Sequence, residues 1–173
     1  DVLDRIYKAA KFANADVVVE VGGDVPFVTP DFFDYGIEQY YETKADFISN
    51  TYFPPITYPV GYDFMLITMK TLEKLYLEAV LDSERYLPFH YISRNPQLFK
   101  IHNLTSDIDL SAWRWTLDYP EDLDFIRTVF DRLLPKNPFF GLDDIRQLFE
   151  EDPAIIEINA MHSDPVEGST AWH

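Results

Sequence analysis

Apolar residues at Val2, Ile6, Ala9, Ala10 and Ala13 recur at helical spacing and predict an amphipathic helix over Asp1 to Ala13. Asp16-Val-Val-Val-Glu-Val21 is a β-branched run that stops at Gly22-Gly23, which reads as a strand ended by a tight turn. Pro26 and Pro30 mark the next loop, and Asp31 is placed to cap a helix presenting Phe33, Ile37, Tyr40 and Tyr41. A short strand is expected over Asp46 to Ser49. Three prolines between Thr51 and Pro59 forbid a central strand there. Tyr62 to Ile67 then reads as a strand, and Thr68 as the cap of a helix with Leu72, Leu75, Tyr76 and Ala79 inward.

In the second half, a helix over Ser83 to Ser93 is interrupted by Pro88, and Leu98 to Leu104 and Ala112 to Leu117 read as strands. Pro120 suits the first turn of a helix running to about Leu134, with Leu123, Ile126, Val129, Phe130 and Leu133 as its apolar stripe. Gly141 to Glu150 is a last helix, followed by the apolar run Ile155 to Ile158. Strands alternating with helices predict one α/β domain over residues 1–160 with a mainly parallel sheet, and residues 161–173 read as a mobile tail.

Composition narrows the function. The 173 residues are 47% hydrophobic, enough for one sizeable core. Lys and Arg number 14 against 30 Asp and Glu, a formal charge of −16 that disfavours a nucleic-acid partner. A nucleotide remains compatible with this charge, because a magnesium ion held by carboxylates screens a triphosphate. The absence of cysteine removes disulfides, thiolate metal sites and thiol nucleophiles. No apolar run approaches the roughly 20 residues that span a bilayer, so a cytoplasmic protein without a membrane partner is expected. His90, His102, His162 and His173 have no metal-ligand spacing, and neither a Walker loop nor a strained nucleophile turn is present.

Two acids stand out. Asp24, in Gly22-Gly23-Asp24-Val25-Pro26, lies just past a predicted strand, where open α/β sheets bind ligands. Asp118, in Arg114-Trp-Thr-Leu-Asp118-Tyr-Pro120-Glu-Asp122, follows another predicted strand and precedes a helix. Taken alone, Asp24 reads first as a turn residue and Asp118 as a helix N-terminal device. Two strand-end acids at one sheet edge would instead share one Mg²⁺, which requires them to converge. Arg114 is open to either a phosphate or an ion pair with neighbouring acids, and Arg85 likewise.

The runs Val2 to Ala10, Asp16 to Pro26 and Arg114 to Leu123 resemble the spore-coat polysaccharide biosynthesis cytidylyltransferases, a group similar to the 3-deoxy-manno-octulosonate and acylneuraminate cytidylyltransferases. Ser49-Asn50, Pro59, Gly61, Asp63 and Ser83-Glu84-Arg85 fall between those runs in the family's order. The resemblance implies a three-layer nucleotidyltransferase-like fold missing its first strands. It also implies Mg²⁺ held by Asp24 and Asp118, and attack of an acidic sugar's hydroxyl on the α-phosphate of CTP with release of pyrophosphate. Asn50, Asp63, Arg85 and Arg114 become the expected substrate contacts, and a homodimer is expected through exposed aromatics among Tyr86, Phe89, Tyr91 and Phe99.

The chain departs from that pattern in places. The family's glycine- and arginine-rich nucleotide loop would precede these runs and is not in the chain. Val60 and Met65 stand where the family has acids, and Tyr119 where it has threonine. A non-catalytic binding or dimerisation module and a nucleotide-sugar glycosyltransferase are therefore the rival readings. Without the phosphate-cradling loop, the chain by itself is expected to bind CTP poorly and turn nothing over. Calorimetry with CTP and Mg²⁺ checks this, and tight stoichiometric binding would refute it.

Overall fold

Asp1 opens helix α1 (Val2–Phe12) by accepting the Asp4 N–H at 2.9 Å, and the helix buries Leu3, Tyr7 and Ala10. The computed structural model describes residues 1–162 of the chain. Strand β1 (Val17–Glu20), helix α2 (Pro30–Thr43), strands β2 (Phe47–Ser49) and β3 (Met65–Thr68) and helix α3 (Met69–Glu78) follow. Pro88 divides the next helical stretch into α4 (Asp82–Tyr86) and α5 (Phe89–Arg94), ahead of strand β4 (Ile101–Asn103). Helices α6 (Pro120–Leu133) and α7 (Leu142–Glu151) complete the regular elements, and Pro153–Ile158 is a 3₁₀ helix. The tail expected from Met161 opens in a 3₁₀ turn, Ala160–His162; its remainder, with His173, lies outside the described residues.

The chain divides into two compact units. The first comprises Asp1–Val21, Asp31–Pro55 and Phe64–Thr105, and holds a four-stranded sheet of order β1-β3-β2-β4. β2 pairs parallel with β4, whereas β3 pairs antiparallel with both β1 and β2, so the sheet is mixed and not mainly parallel. The cause is the connection between β2 and β3. A parallel neighbour needs a crossover element, but residues 50–64 contain no helix, and a loop returns the chain antiparallel. Helix α2 crosses from β1 to β2 and leaves those two strands parallel on either side of β3.

Leu3, Phe47, Leu72, Leu75 and Ile92 form the fully shielded centre of this unit's apolar cluster. Burial of each such side chain is worth about 1.5–3 kcal/mol. Thr68 caps α3 as its sequence predicts, accepting the Thr71 N–H at 3.2 Å. α2 turns Phe32 and Gly36 inward, and a Cβ on Gly36 would meet the Phe64 ring at 2.2 Å; Tyr41, expected on the inner face, is 63% exposed. Among the aromatics expected to be exposed, Phe89 and Tyr91 are buried and Phe99 half-buried, which leaves Tyr86 open. Phe89 stacks on Tyr52 at 3.7 Å, which accounts for its burial.

The second unit comprises Gly22–Pro30, Ile56–Asp63 and the described residues from Ser106 onward. Its core is aromatic: Trp115 is fully buried against Phe27, Tyr62, Trp113 and Phe149. α6 faces this core with Phe125, Ile126, Val129 and Leu133. Ala112 to Leu117 is not a strand of the sheet. It makes one isolated parallel bridge, in which the Val60 N–H donates to the Trp113 carbonyl at 2.9 Å and the Trp115 N–H to the Val60 carbonyl at 2.7 Å. Alternation alone cannot distinguish such a bridge from a strand, because the pattern records burial and not the number of partners.

Gly61 makes this approach possible. Its φ is +86°, and a Cβ would lie 2.3 Å from the Thr116 nitrogen. Gly61→Ala is expected to destabilise the protein by roughly 1–3 kcal/mol or more, since strain and overlap act together. Gly23→Ala, with nothing within 4 Å of the added methyl group, is expected to change stability by no more than about 0.5 kcal/mol. Urea denaturation of the two variants separates backbone constraint from the general cost of replacing glycine.

Candidate active site

Asp24 and Asp118 come together through the backbone of the second unit. The Leu117 N–H donates to the Asp24 carbonyl at 2.9 Å, so the two acids stand on adjacent chain segments despite the long stretch of sequence between them. Asp24 is exposed, and its Oδ1 lies over Gly22, where a Cβ would come within 2.3 Å. The missing side chain of Gly22 is what gives this carboxylate its room. Among the described residues, no hydrogen bond or ion pair engages it. The Asp118 side chain is 47% exposed and accepts from Arg114 Nη2 at 2.7 Å.

Asp118 does not cap α6. That task falls to Asp122, the third residue of the helix, whose Oδ2 accepts the N–H groups of Asp118 and Tyr119, both at 3.0 Å. The same fully buried carboxylate takes Arg114 Nε at 3.0 Å, Arg114 Nη2 at 2.9 Å and Asn159 Nδ2 at 2.8 Å. Burial alone would push the Asp122 carboxyl up. Arg114, Asn159 and the two backbone donors more than offset that, and it titrates well below the usual carboxylate range. Asn159 also donates to the Arg114 carbonyl at 3.1 Å. The Arg114 guanidinium lies 5.4 Å from the Tyr119 ring centre, and the His162 imidazole stacks on that ring at 4.0 Å. His162 meets Glu121 at 3.0 Å and holds its carboxyl below the ordinary value.

The remaining expected site residues are distributed between the units. Asp63 is half-buried in the second. Asn50 belongs to the first, is 1% exposed, and accepts the Phe64 N–H at 2.8 Å, which fixes the chain just before β3. Arg85 also belongs to the first. Its Nε donates to Asp1 at 2.5 Å, its Nη1 reaches the carbonyls of Tyr76 and Ala79, and its guanidinium lies over the Tyr76 ring. The structure thus joins Asp24, Asp118 and Arg114 in one neighbourhood, and adds Asp122 and Asn159, which the sequence reading missed. Asp122 was detectable as an acid on the buried stripe of α6, one turn before Phe125 and Ile126. Asn159 lies in an irregular segment and carries no such signal. Among the described residues no three His, Asp or Glu side chains form a group able to hold a metal by themselves.

The fold is the α/β fold of a nucleotidyltransferase. A solved cytidylyltransferase from Leptospira borgpetersenii superposes with a TM-score of 0.83 at 27% identity, over 90% of this chain and 65% of that one. The chain is 30% identical over 167 residues to an uncharacterized protein of Methanocaldococcus jannaschii, covering 92% of the chain and 64% of that protein. It is 25% identical over 134 residues to the spore coat polysaccharide biosynthesis protein SpsF of Bacillus subtilis, covering 76% of the chain and 54% of SpsF. It therefore spans between about half and two thirds of the length of these relatives. No protein-family model matches the chain.

Removing the Asp122 carboxylate takes the partner from Arg114 Nε and from the two backbone N–H groups, leaving Arg114 only its outer contact with Asp118, so Asp122→Ala is expected to destabilise the protein by about 3–5 kcal/mol at neutral pH. A depressed folded-state pKa contributes stability above the unfolded value of about 4 and loses it as the pH falls further. Urea midpoints of wild type and variant should therefore differ most at pH 5 and above, and converge towards pH 2. A gap that does not change with pH would contradict this assignment.

Proposed function

We propose that this chain is part of a cytidylyltransferase-type nucleotidyltransferase, in which Asp24 and Asp118 hold Mg²⁺ at the reacting phosphate. The observation that carries this reading is the 2.9 Å hydrogen bond between Leu117 and the Asp24 carbonyl, which brings two separate acidic motifs side by side. Capping does not explain the placement of Asp118, because Asp122 already caps α6. The donor chemistry suits the ion: Mg²⁺ favours hard oxygen ligands and is commonly held by one or two carboxylates, with water and phosphate oxygens completing the shell. The bound ion would neutralise charge developing on the α-phosphate. The likeness to a cytidylyltransferase structure supports CTP as a substrate, and the likeness to SpsF supports a place in polysaccharide biosynthesis; the acidic sugar is what the family resemblance implies.

In this reading a sugar hydroxyl forms a bond to the α-phosphorus as the bond to the bridging oxygen of pyrophosphate breaks, and the hydroxyl proton leaves to solvent. Asp24, exposed and unpaired within the described residues, and Asp118, half-open, provide the two carboxylates. Asn50, Asp63 and Arg85 stand as proposed sugar or phosphate contacts, and a homodimer as the proposed assembly. A second reading, a binding module without turnover, is favoured by Met65, an apolar buried residue where the resembled family carries glutamate.

Assay of the intact protein for Mg²⁺-dependent pyrophosphate release from CTP, across a panel of acidic sugars, tests the proposal. Asp24→Asn and Asp118→Asn are each expected to lower kcat by about 100-fold or more while changing the melting temperature little. Turnover that survives both substitutions would remove the metal role. Binding of CTP without release of pyrophosphate for any sugar would favour the binding module.

A further inference from the structure

Arg114 is shared unequally between two acids. Its side chain is 12% exposed and is fastened to Asp122, which is fully buried, through both Nε and Nη2, with Asn159 bracing that carboxylate and the Arg114 carbonyl. The contact with Asp118 uses the same Nη2 and reaches a carboxylate that is 47% exposed. Arg114 therefore keeps a complete partner if Asp118 leaves, whereas the Asp118 carboxylate has no other hydrogen-bond or ion-pair partner among the described residues. The guanidinium Nη2 stands on Asp118 where a cation would stand.

We infer that Arg114 is the resident cation of Asp118, and yields that carboxylate to a divalent ion without itself moving from Asp122. This rests on the reading of Asp24 and Asp118 as the metal carboxylates. It assigns Arg114 to positioning, through Asp122 and Asn159, in place of the substrate contact expected from sequence. The guanidinium orients Asp118 in the ligand-free protein through its Oδ2, and it competes with the ion for that carboxylate. In this exchange the metal replaces one partly exposed ion pair as it binds. Such pairs are worth about 0.2–1 kcal/mol, so the competition weakens metal affinity by about fivefold at most.

Two measurements test the exchange, with Mn²⁺ and Mg²⁺ as probes and no substrate. In the first, free Mn²⁺ is measured by electron paramagnetic resonance during titration of wild type, Arg114→Lys, Asp118→Asn and the double variant. Lysine keeps the charge, but its single ammonium cannot fork between Asp122 and Asp118. Arg114→Lys should bind Mn²⁺ about two- to fivefold more tightly, and Asp118→Asn should abolish that site in either background. In the second, ¹⁵N–¹H spectra of wild-type Arg114 are followed during Mg²⁺ addition. The Nη2 signal should shift as the contact with Asp118 is lost, while Nε, held by Asp122, stays in place. This readout needs no substitution and stands even if Arg114→Lys fails to fold. Unchanged or weaker Mn²⁺ binding by Arg114→Lys, with loss on Asp118→Asn, overturns the exchange alone, as does a site that fills without moving the Nη2 signal. Absence of any Mn²⁺ binding that depends on Asp118 overturns both the exchange and the metal reading beneath it.

Discussion

The carboxylate of Asp122 is the constraint around which the second unit is arranged. A charge with no exposure is tolerated in a protein only when its oxygens are fully occupied, and Asp122 is occupied by a guanidinium, an amide and two backbone N–H groups. Arg114 and the two N–H groups come from the stretch just ahead of α6, the part bridged to Val60, whereas Asn159 comes from the irregular stretch after α7. One buried charge thus fastens the entry to α6 and ties it to a segment that no apolar stripe would place so specifically.

The aromatic core supplies the complement to this polar knot. Trp115 follows Arg114 directly, and alternation of the extended backbone sends the two side chains opposite ways, one to Asp122 and the other among Phe27, Tyr62 and Phe149. Gly61 lets the neighbouring chain lie against Thr116 without a side chain between them. Because Leu117 is then fixed to the Asp24 carbonyl, the position of both exposed acids follows from buried contacts on either side of them. Rigid support beneath accessible carboxylates is what an electrostatic role requires, since donors and charges help most when they need no rearrangement.

The first unit follows a different logic. Its sheet is short, and its stability comes from an apolar cluster between the strands and helices α1, α3 and α5. Polar fastening is local there: Asn50 holds the entry to β3, and Arg85 ties α4 to Asp1 and to the last carbonyls of α3. Two of the residues expected to contact substrate thus have structural partners, which is the ordinary fate of an arginine beside acids and carbonyls.

Local chemistry alone determined much of this molecule. Helix starts at Asp1, Thr68 and Pro120, the stop at Gly22-Gly23 and the break at Pro88 are each set by neighbouring residues, and were legible for that reason. The pair Asp24 and Asp118 was legible as two motifs, because glycine, proline and acid in fixed order record a turn. What tertiary structure decided was pairing. The antiparallel placement of β3, the reduction of Ala112 to Leu117 to a single bridge, and the assignment of the cap to Asp122 and not Asp118 all depend on which segments meet. Periodicity reports which face of an element is buried, but not what lies against it. Asn159 shows the limit most clearly: an amide in an irregular segment becomes a core contact only because a buried carboxylate stands in front of it.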